Sequence, residues 1–185
     1  MLSLTTVTLA GLLAVASAKP LAARQATTTC NPNFEGAGVS IIAVDVEWGV
    51  STVVAGTLLQ DDVGTFPPNA TANWHVQQTG SFNPTTYIIK PISDNNLAVD
   101  VVHRQLTLED VDGSKQSQLW EIECQQCFPG ASTPGGGEYA VGCAIKSVPT
   151  GFCATLEMGS PLLAVLGPCT GVVAERFDFW TATGA

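Results

Sequence analysis

Apolar and polar residues alternate in short runs along most of the chain, which is the pattern of β-strands that bury one face. The clearest run is residues 118–123, QLWEIE, where an aromatic residue is followed two positions later by an aliphatic one. Similar runs occur at residues 73–76 and 175–180, and 46 residues separate Trp74 from Trp120. No segment shows a sustained period of 3.6 residues. The pattern therefore predicts an all-β protein built from a repeated unit.

Three units of four strands account for this pattern, over about residues 36–80, 84–127 and 139–181. The second unit is the most regular, and its strands are predicted at residues 87–91, 97–101, 105–108 and 118–124. The strands of the third unit are predicted at residues 143–146, 152–155, 162–166 and 176–180. Those of the first, most altered unit are predicted at residues 39–42, 48–50, 57–59 and 74–76. Twelve short strands can close a barrel, which removes unpaired strand edges.

The amino-terminal residues are typical of a secretory signal. Residues 9–15 form a short apolar core, and the small residues Ala16, Ser17 and Ala18 follow it, so we expect a signal peptide at residues 1–18. Residues 19–29 are expected to be a short pro-segment or a disordered amino terminus. The apolar core is too short to span a bilayer. We therefore expect a secreted, extracellular protein without membrane insertion, whose folded domain covers residues 30–181.

The charge of the chain limits its partners. The sequence carries 7 basic and 16 acidic residues, a formal charge of −9, and loss of residues 1–24 would change it to −11. An acidic domain repels nucleic acid and anionic membrane surfaces, so nucleic-acid binding is not expected. The remaining residues, about 160, suit one monomeric domain with an adequate core. The 18 glycines and 11 prolines favour strands joined by turns.

Six cysteines follow the predicted signal peptide, and their even number predicts disulfides, although 15 pairings are possible. Cys124 and Cys127 form a single C-x-x-C pair, which alone is a weak sign of zinc or redox chemistry. The chain has only two histidines, His75 and His103, too few for a metal cluster by themselves. No metal or other cofactor is therefore expected. Asn69 opens an N-glycosylation motif, which agrees with export.

Three features resemble the ricin B-type (QxW) β-trefoil lectins: the Gln-x-Trp of residues 118–120, the LAVDV strand at 97–101, and the spacing of Cys153 and Cys169. The chain is most similar to small secreted β-trefoils of filamentous fungi, over about residues 30–181. The resemblance implies a β-trefoil with pseudo-threefold symmetry. It also implies a disulfide between Cys153 and Cys169. For the other four cysteines, one arrangement would join Cys127 to Cys143 and Cys30 to Cys124.

Sugar sites of this family resemble shallow pockets, in which a carboxylate and an amide hold hydroxyls and an aromatic ring stacks on the sugar. By this resemblance, the candidate carbohydrate-binding residues are Asp100, Gln105, Ser117 and Gln118. Asp100 matches the hydroxyl-binding aspartate and Gln118 opens the Gln-x-Trp motif. Asp100 could equally be a carboxylate that caps a turn through backbone N–H groups.

The stacking surface of this predicted site departs from the family's pattern. The stacking position matches Thr107, which is not aromatic, and His103 is either a substitute platform or a solvated turn residue. In the third unit, Thr155 and Glu175 occupy the aspartate and amide positions. The resemblance therefore leaves at most one sugar site, in the second unit. Trp120 is expected to pack in the core between repeats.

Two classes of function remain. The first is non-catalytic carbohydrate binding at the second unit. The second is a trefoil that binds another extracellular protein, as a protease inhibitor or secreted effector, through loops at residues 60–71 and 128–138. No H-E-x-x-H or G-x-S-x-G motif occurs, so an enzyme is not expected.

Overall fold

The computed structural model describes residues 29–34, 36–62, 74–128, 137–157 and 162–181. The predicted signal peptide, nearly all of the segment 19–29 and the glycosylation residue Asn69 lie outside the described residues. So does the greater part of the two loops that were predicted to contact a partner.

The described residues form β-strands and two single-turn 3-10 helices, at Gln116–Gln118 and Val173–Glu175, so the all-β prediction is confirmed. The strands are β1 (Gly38–Ala43), β2 (Val46–Gly49), β3 (Gln60–Asp62), β4 (Trp74–Phe82), β5 (Thr85–Pro91), β6 (Leu97–Val102), β7 (Gln105–Asp110), β8 (Trp120–Glu123), β9 (Gln126–Cys127), β10 (Gly137–Ser147), β11 (Cys153–Glu157), β12 (Leu163–Gly167) and β13 (Phe177–Thr181).

Six of these strands close into a barrel. β1 pairs with β4, β4 with β5, β5 with β8, β8 with β10, and β10 with β13, which pairs back with β1. All six pairings are antiparallel. Because each strand has a neighbour on both sides, the barrel has no open edge that would leave a row of backbone N–H and C=O groups unpaired.

Three hairpins accompany the barrel: β2–β3, β6–β7 and β11–β12. They also pair with one another, since β12 meets β7 at Val165 and Gln105 and meets β3 at Leu163 and Gln60. A bridge between Leu58 and Thr107 joins the first hairpin loop to β7. The hairpin β6–β7 carries the aspartate and the threonine of the predicted sugar site.

Large aromatic side chains fill the core. Trp48, Trp74 and Trp120 are exposed by at most 1%. The indole N–H of Trp74 donates to the carbonyl of Trp48 at 3.1 Å, and that of Trp120 donates to the carbonyl of Val99 at 3.2 Å. Trp74 and Trp120 thus bury a large apolar surface while their polar atoms keep a partner, whereas the indole nitrogen of Trp48 is buried with no hydrogen-bond partner in the described part of the chain. The predicted core position of Trp120 is confirmed.

The first three strands of the second unit lie where they were predicted, whereas the fourth, β8, begins two residues late because Gln118 belongs to a 3-10 helix. The larger differences fall in the other units: β4 runs for nine residues and β10 for eleven, far beyond the predicted 74–76 and 143–146. β4 continues to pair with β5 as far as Phe82, and β10 pairs in turn with β13, β9, β8 and β11. Residues 57–59, predicted as a strand, instead lie against β7: the N–H of Leu59 donates to the carbonyl of Leu106 at 2.8 Å. The third strand of the first unit is instead β3, which begins at Gln60, one residue after the predicted strand ends.

Three disulfides join the six cysteines, and one of the expected pairs is present, Cys153–Cys169. The other two expected pairs are wrong: Cys30 bonds Cys127, and Cys124 bonds Cys143. The strand register explains this result. Glu123 of β8 faces Ala144 of β10, so the next residues along the ladder, Cys124 and Cys143, face each other and both are fully buried.

Candidate functional site

Asp100 lies near the end of β6, where its cross-strand neighbour on β7 is Thr107. Both residues are buried, with 3% of each exposed. Their side chains share one face of the hairpin because facing residues of antiparallel strands point the same way. Thr107 is thus too small and too enclosed to offer a sugar a flat stacking surface. The structure brings together the aspartate and the stacking position of the predicted site, but not a stacking ring.

The carboxylate of Asp100 is surrounded by donors from its own chain. Its Oδ1 accepts from the backbone N–H of Val101 at 2.6 Å. Its Oδ2 accepts from the side-chain amide of Gln118 at 3.2 Å and from the ammonium of Lys115 at 3.4 Å. Ser117 also donates to this carboxylate. The Asp100 side chain is 4% exposed, and the Lys115 side chain, 44% exposed, separates it from solvent.

These donors set the charge of Asp100. Burial raises the pKa of its carboxyl, but hydrogen bonds from Ser117, from the N–H of Val101 and from Gln118 lower it, as does the charge of Lys115. The net effect is a pKa below the ordinary value, so Asp100 is ionised at neutral pH. An ionised carboxylate accepts strong hydrogen bonds, which is what recognition of a hydroxyl pair requires.

Gln118 is fully buried and holds the turn after β7. Its side-chain amide donates to the carbonyl of Asp110 at 2.8 Å, and its side-chain oxygen accepts from the N–H of Asp112 at 3.0 Å. The same amide donates to Asp100, as described above. Gln118 therefore connects the turn to the carboxylate, and its capacity for hydrogen bonds is used within the protein. Its role in the candidate site is to orient Asp100 and not to touch a ligand.

The other two predicted site residues, Ser117 and Gln105, lie at different distances from Asp100. Ser117 is half-buried on the 3-10 helix beside Gln118, within reach of Asp100. Gln105 opens β7 opposite Val102, next to the exposed turn of His103 and Arg104. Three of the four predicted site residues thus form one polar cluster, and Gln105 lies at the other end of the hairpin strand.

Lys115 is the site residue that sequence analysis missed. It is separated from Asp100 by 15 residues, and only the folding of the turn at Asp112–Ser114 places it over the carboxylate. The one signal in the sequence is a cation two to three residues before the Ser117 and Gln118 pair. Such a lysine on an exposed turn is usually solvated, so the signal is weak.

The third unit uses Glu175 where the second unit uses Gln118. Glu175 accepts from the N–H of Thr170 at 2.7 Å, from the hydroxyl of Thr170 at 2.9 Å and from the N–H of Gly171 at 2.6 Å. Burial raises the pKa of Glu175, but these hydrogen bonds and the charge of Arg176 bring it below the ordinary value. Thr155, which the resemblance matches to the aspartate position, faces Val165 on the hairpin β11–β12.

A hollow of about 360 Å³ lies beside this third hairpin, lined among others by Glu123, Lys146 and Arg176. Lys146 and Glu123 form an ion pair at 3.3 Å, and the hydroxyl of Thr29 donates to Glu123 at 2.6 Å. That hydrogen bond, followed by the contact with Lys146, lowers the pKa of Glu123. The charged groups of this hollow are therefore largely satisfied by one another.

The described part of the chain offers neither a metal site nor a membrane-spanning helix. No group of three or more His, Cys, Asp or Glu side chains there is arranged to hold a metal ion. Among the same residues, no helix has the length and apolar character needed to cross a membrane.

No protein-family model matches the chain, and no curated protein matches it. Solved structures do match. The Haemophilus ducreyi cytolethal distending toxin is similar at a TM-score of 0.52 and 17% identity, over 78% of this chain and 82% of the toxin chain. A Polyporus squamosus lectin, solved with a human-type influenza-binding epitope, is similar at a TM-score of 0.52 and 18% identity, over 80% of this chain and 50% of its own.

A mosquitocidal holotoxin is similar at a TM-score of 0.60 and 8% identity, over 81% of this chain and 18% of the holotoxin. At these identities the likeness establishes a fold shared with parts of lectin and toxin chains. The chain spans half the length of the lectin that it matches.

Proposed function

We propose that this chain is a secreted, non-catalytic carbohydrate-binding protein with a ricin B-like β-trefoil fold. The six-stranded barrel and the three mutually paired hairpins support the trefoil, since a three-unit trefoil needs both. The likeness to a lectin supports sugar binding. Three disulfides, which persist in oxidising compartments, support an extracellular location.

The observation that carries the proposal is the ionised carboxylate of Asp100, held rigidly beneath one exposed lysine. Gln118 and the N–H of Val101 fix the carboxylate from below, so its orientation does not depend on the ligand. A sugar reaches it by taking over the places of the Lys115 ammonium and the Ser117 hydroxyl. Lys115 is 44% exposed but Asp100 is buried, so the sugar hydroxyls must replace the hydrogen bonds of the displaced groups for this exchange to be favourable.

A sugar bound in this way would gain hydroxyl contacts but no stacking energy. Two vicinal hydroxyls would donate to the two oxygens of Asp100, while the displaced Lys115 ammonium donates to a third sugar oxygen. Thr107 offers no ring surface at the stacking position. We therefore expect weak binding that depends strongly on Asp100 and needs several linked sugars, or several protein copies, for tight attachment.

A glycan array, together with retention on immobilised galactose, chitin and mannan, tests the proposal. The decisive variant is Asp100→Ala, and the matched control is Asp45→Ala, which removes an exposed carboxylate from the β1–β2 turn. We expect the wild type and Asp45→Ala to bind the same glycans and Asp100→Ala to lose them. The proposal is lost if the wild type binds none, or if Asp100→Ala binds as well as the wild type.

One observation favours a second function, binding to another protein. Phe152, Val172 and Val173 are apolar but 42%, 52% and 68% exposed. They lie near the Cys153–Cys169 disulfide, and together they could contact an apolar partner surface. Titration of a protease panel tests the inhibitor version of this function. Full protease activity in the presence of this protein at micromolar concentration would count against inhibition.

A further inference from the structure

The outer face of β4 and β5 carries a second polar hollow, and none of the predicted sugar-site residues lines it. Its volume is about 570 Å³, and it is lined by Asn33, Gly36, His75, Val76, Gln77, Gln78, Lys90 and Asn95. The volume falls in the range of about 300–1,000 Å³ that is usual for small-molecule sites. Neither the proposed sugar site at Asp100 nor the proposed protein-binding surface uses this hollow.

The strand pairing explains why polar side chains gather there. Trp74 and Val76 point into the core, so the alternate residue His75 points outwards. Lys90 faces His75 directly across the β4–β5 pair, which places both side chains on the same outer face. On the other side of β4, the residue facing His75 is Gly38, which has no side chain to fill the space.

Among the described residues, the lining combines cationic and amide groups and includes no carboxylate. This is unusual in a chain with 16 acidic and 7 basic residues. Within the described residues, Lys115 and Lys146 each pair with a carboxylate, whereas Lys90 forms no ion pair at or below 4.0 Å. The hollow thus presents an ammonium group that the described part of the chain leaves unneutralised.

The imidazole of His75 is held in place by the turn that follows β5. Its Nδ1 lies 3.1 Å from the side-chain oxygen of Asn95, so we assign the donated hydrogen to Nδ1. In the neutral imidazole, that assignment leaves the second ring nitrogen, Nε2, as an acceptor. The exposed side chain of Gln77 adds donors and an acceptor to the lining, whereas the amide of Gln78 already donates to the carbonyl of Pro32 at 3.4 Å. Such a set can satisfy several hydroxyls at once.

We propose that this hollow binds an acidic saccharide, in which a sugar carboxylate pairs with Lys90 and neighbouring hydroxyls bond the amides and His75. A neutral sugar would leave the lysine without an anionic partner, and an acidic peptide would leave the amides without hydroxyls. The site is independent of Asp100, so its existence does not rest on the function proposed for the second unit.

Titration of the protein with trigalacturonate, followed by calorimetry and by amide chemical shifts, tests this inference. We expect binding that shifts resonances of β4 and β5, weakens with added salt, and falls roughly tenfold or more in Lys90→Gln, because a hydrogen bond to a charged group is lost. Lys90→Arg should bind within a few-fold of the wild type. Lys146→Gln, which removes the same charge elsewhere, should leave binding unchanged.

Three other probes show whether the carboxylate must be carried by a saccharide in order to bind. The methyl ester of trigalacturonate keeps the hydroxyls and lacks the charge, acetate has the charge alone, and hexaglutamate supplies carboxylates on a peptide. Each should bind more weakly than trigalacturonate. The inference is overturned if trigalacturonate does not bind at millimolar concentration, if any of these probes binds equally well, or if Lys146→Gln weakens binding as much as Lys90→Gln.

Thermal unfolding of each variant shows whether lost binding comes from lost structure. If Asp100→Ala still binds trigalacturonate and Lys90→Gln does not, the acidic saccharide binds at the β4–β5 hollow. The reverse result would overturn the inference and support the second-unit site.

Discussion

Gln118 and Glu175 each hydrogen-bond a turn of the chain, but through different functional groups. Each lies in a single-turn 3-10 helix and binds back to the turn before it. The amide of Gln118 both donates and accepts, so it can bind the carbonyl of Asp110 and the carboxylate of Asp100 as well as an N–H. Ionised Glu175 only accepts, and its three partners are all donors. The residue type at this position therefore decides whether an aspartate can lie beside it.

Replacement of Gln118 by Ala should lower the free energy of unfolding by about 2–4 kcal/mol, because buried groups of Asp100, Asp110 and Asp112 would lose a partner. Gln118→Glu should cost at least as much, since it places a second carboxylate against Asp100. Urea unfolding measures both. The matched control is Gln116→Ala, an exposed residue of the same 3-10 helix. Equal losses for Gln116→Ala and Gln118→Ala would contradict this prediction.

The lowered pKa of Asp100 predicts a particular dependence of stability on pH. In the unfolded chain this carboxyl has its ordinary pKa, near 3.8, whereas the folded state holds it lower. As the pH falls, the unfolded chain therefore binds the proton before the folded protein does. The stabilisation that ionised Asp100 contributes is complete above the ordinary pKa, and it is lost as the pH falls through the lower pKa of the folded state. Glu175 acts in the same direction.

Asp100→Asn removes this contribution. We expect the difference in unfolding free energy between the wild type and Asp100→Asn to be largest above about pH 5 and to shrink below about pH 4. Urea unfolding at a series of pH values measures it. A difference that stayed constant from about pH 3 to pH 7 would show that the lowered pKa of Asp100 contributes nothing to stability.

At the level of elements, the disulfides act on segments of very different length. Cys153–Cys169 closes 16 residues and links the start of β11 to the residues after β12. Cys30–Cys127 spans 97 residues and fastens the amino-terminal segment beside β8, where the backbones of Cys30 and Cys124 exchange two hydrogen bonds. A longer closed segment restricts the unfolded chain more.

We expect removal of the Cys30–Cys127 bond by paired alanine substitution to destabilise the protein more than removal of Cys153–Cys169. The chain-entropy estimates are about 4–5 and about 3 kcal/mol. Urea unfolding of the two double variants compares them. Peptide mapping without reduction independently checks the three pairings. A larger loss for Cys153–Cys169 would indicate that local strain or residual structure, and not closed length, controls these bonds.

For the whole molecule, barrel closure and the tryptophan core are coupled. Trp120 of β8 is fully buried and bonds the carbonyl of Val99 on β6, so it ties a barrel strand to a hairpin. Trp74 of β4 bonds the carbonyl of Trp48 on β2 in the same manner. The barrel strands and the hairpins should consequently unfold together.

Trp120→Ala should cost about 3–5 kcal/mol, because it leaves a large cavity and removes the partner of the Val99 carbonyl. Trp120→Phe should cost less, since most of the buried volume remains. Denaturation followed by both circular dichroism and fluorescence measures the loss and its cooperativity. The coupling of barrel and hairpins would be disproved by two separate transitions in the wild type.

The sequence by itself determined three strands of the second unit and the buried position of Trp120, while the resemblance to the QxW lectins placed Asp100 and Gln118 in one site. Alternation of side chains is a local property, and the Gln-x-Trp motif lies within one short segment, so both can be read without the fold. Tertiary structure alone decided that Lys115 covers Asp100, that Cys124 faces Cys143, and that His75 and Lys90 share one hollow. The position of Lys115 depends on how the turn at Asp112–Ser114 folds. The other two depend on strand register between distant residues, and a shift of one position would turn each side chain to the opposite face.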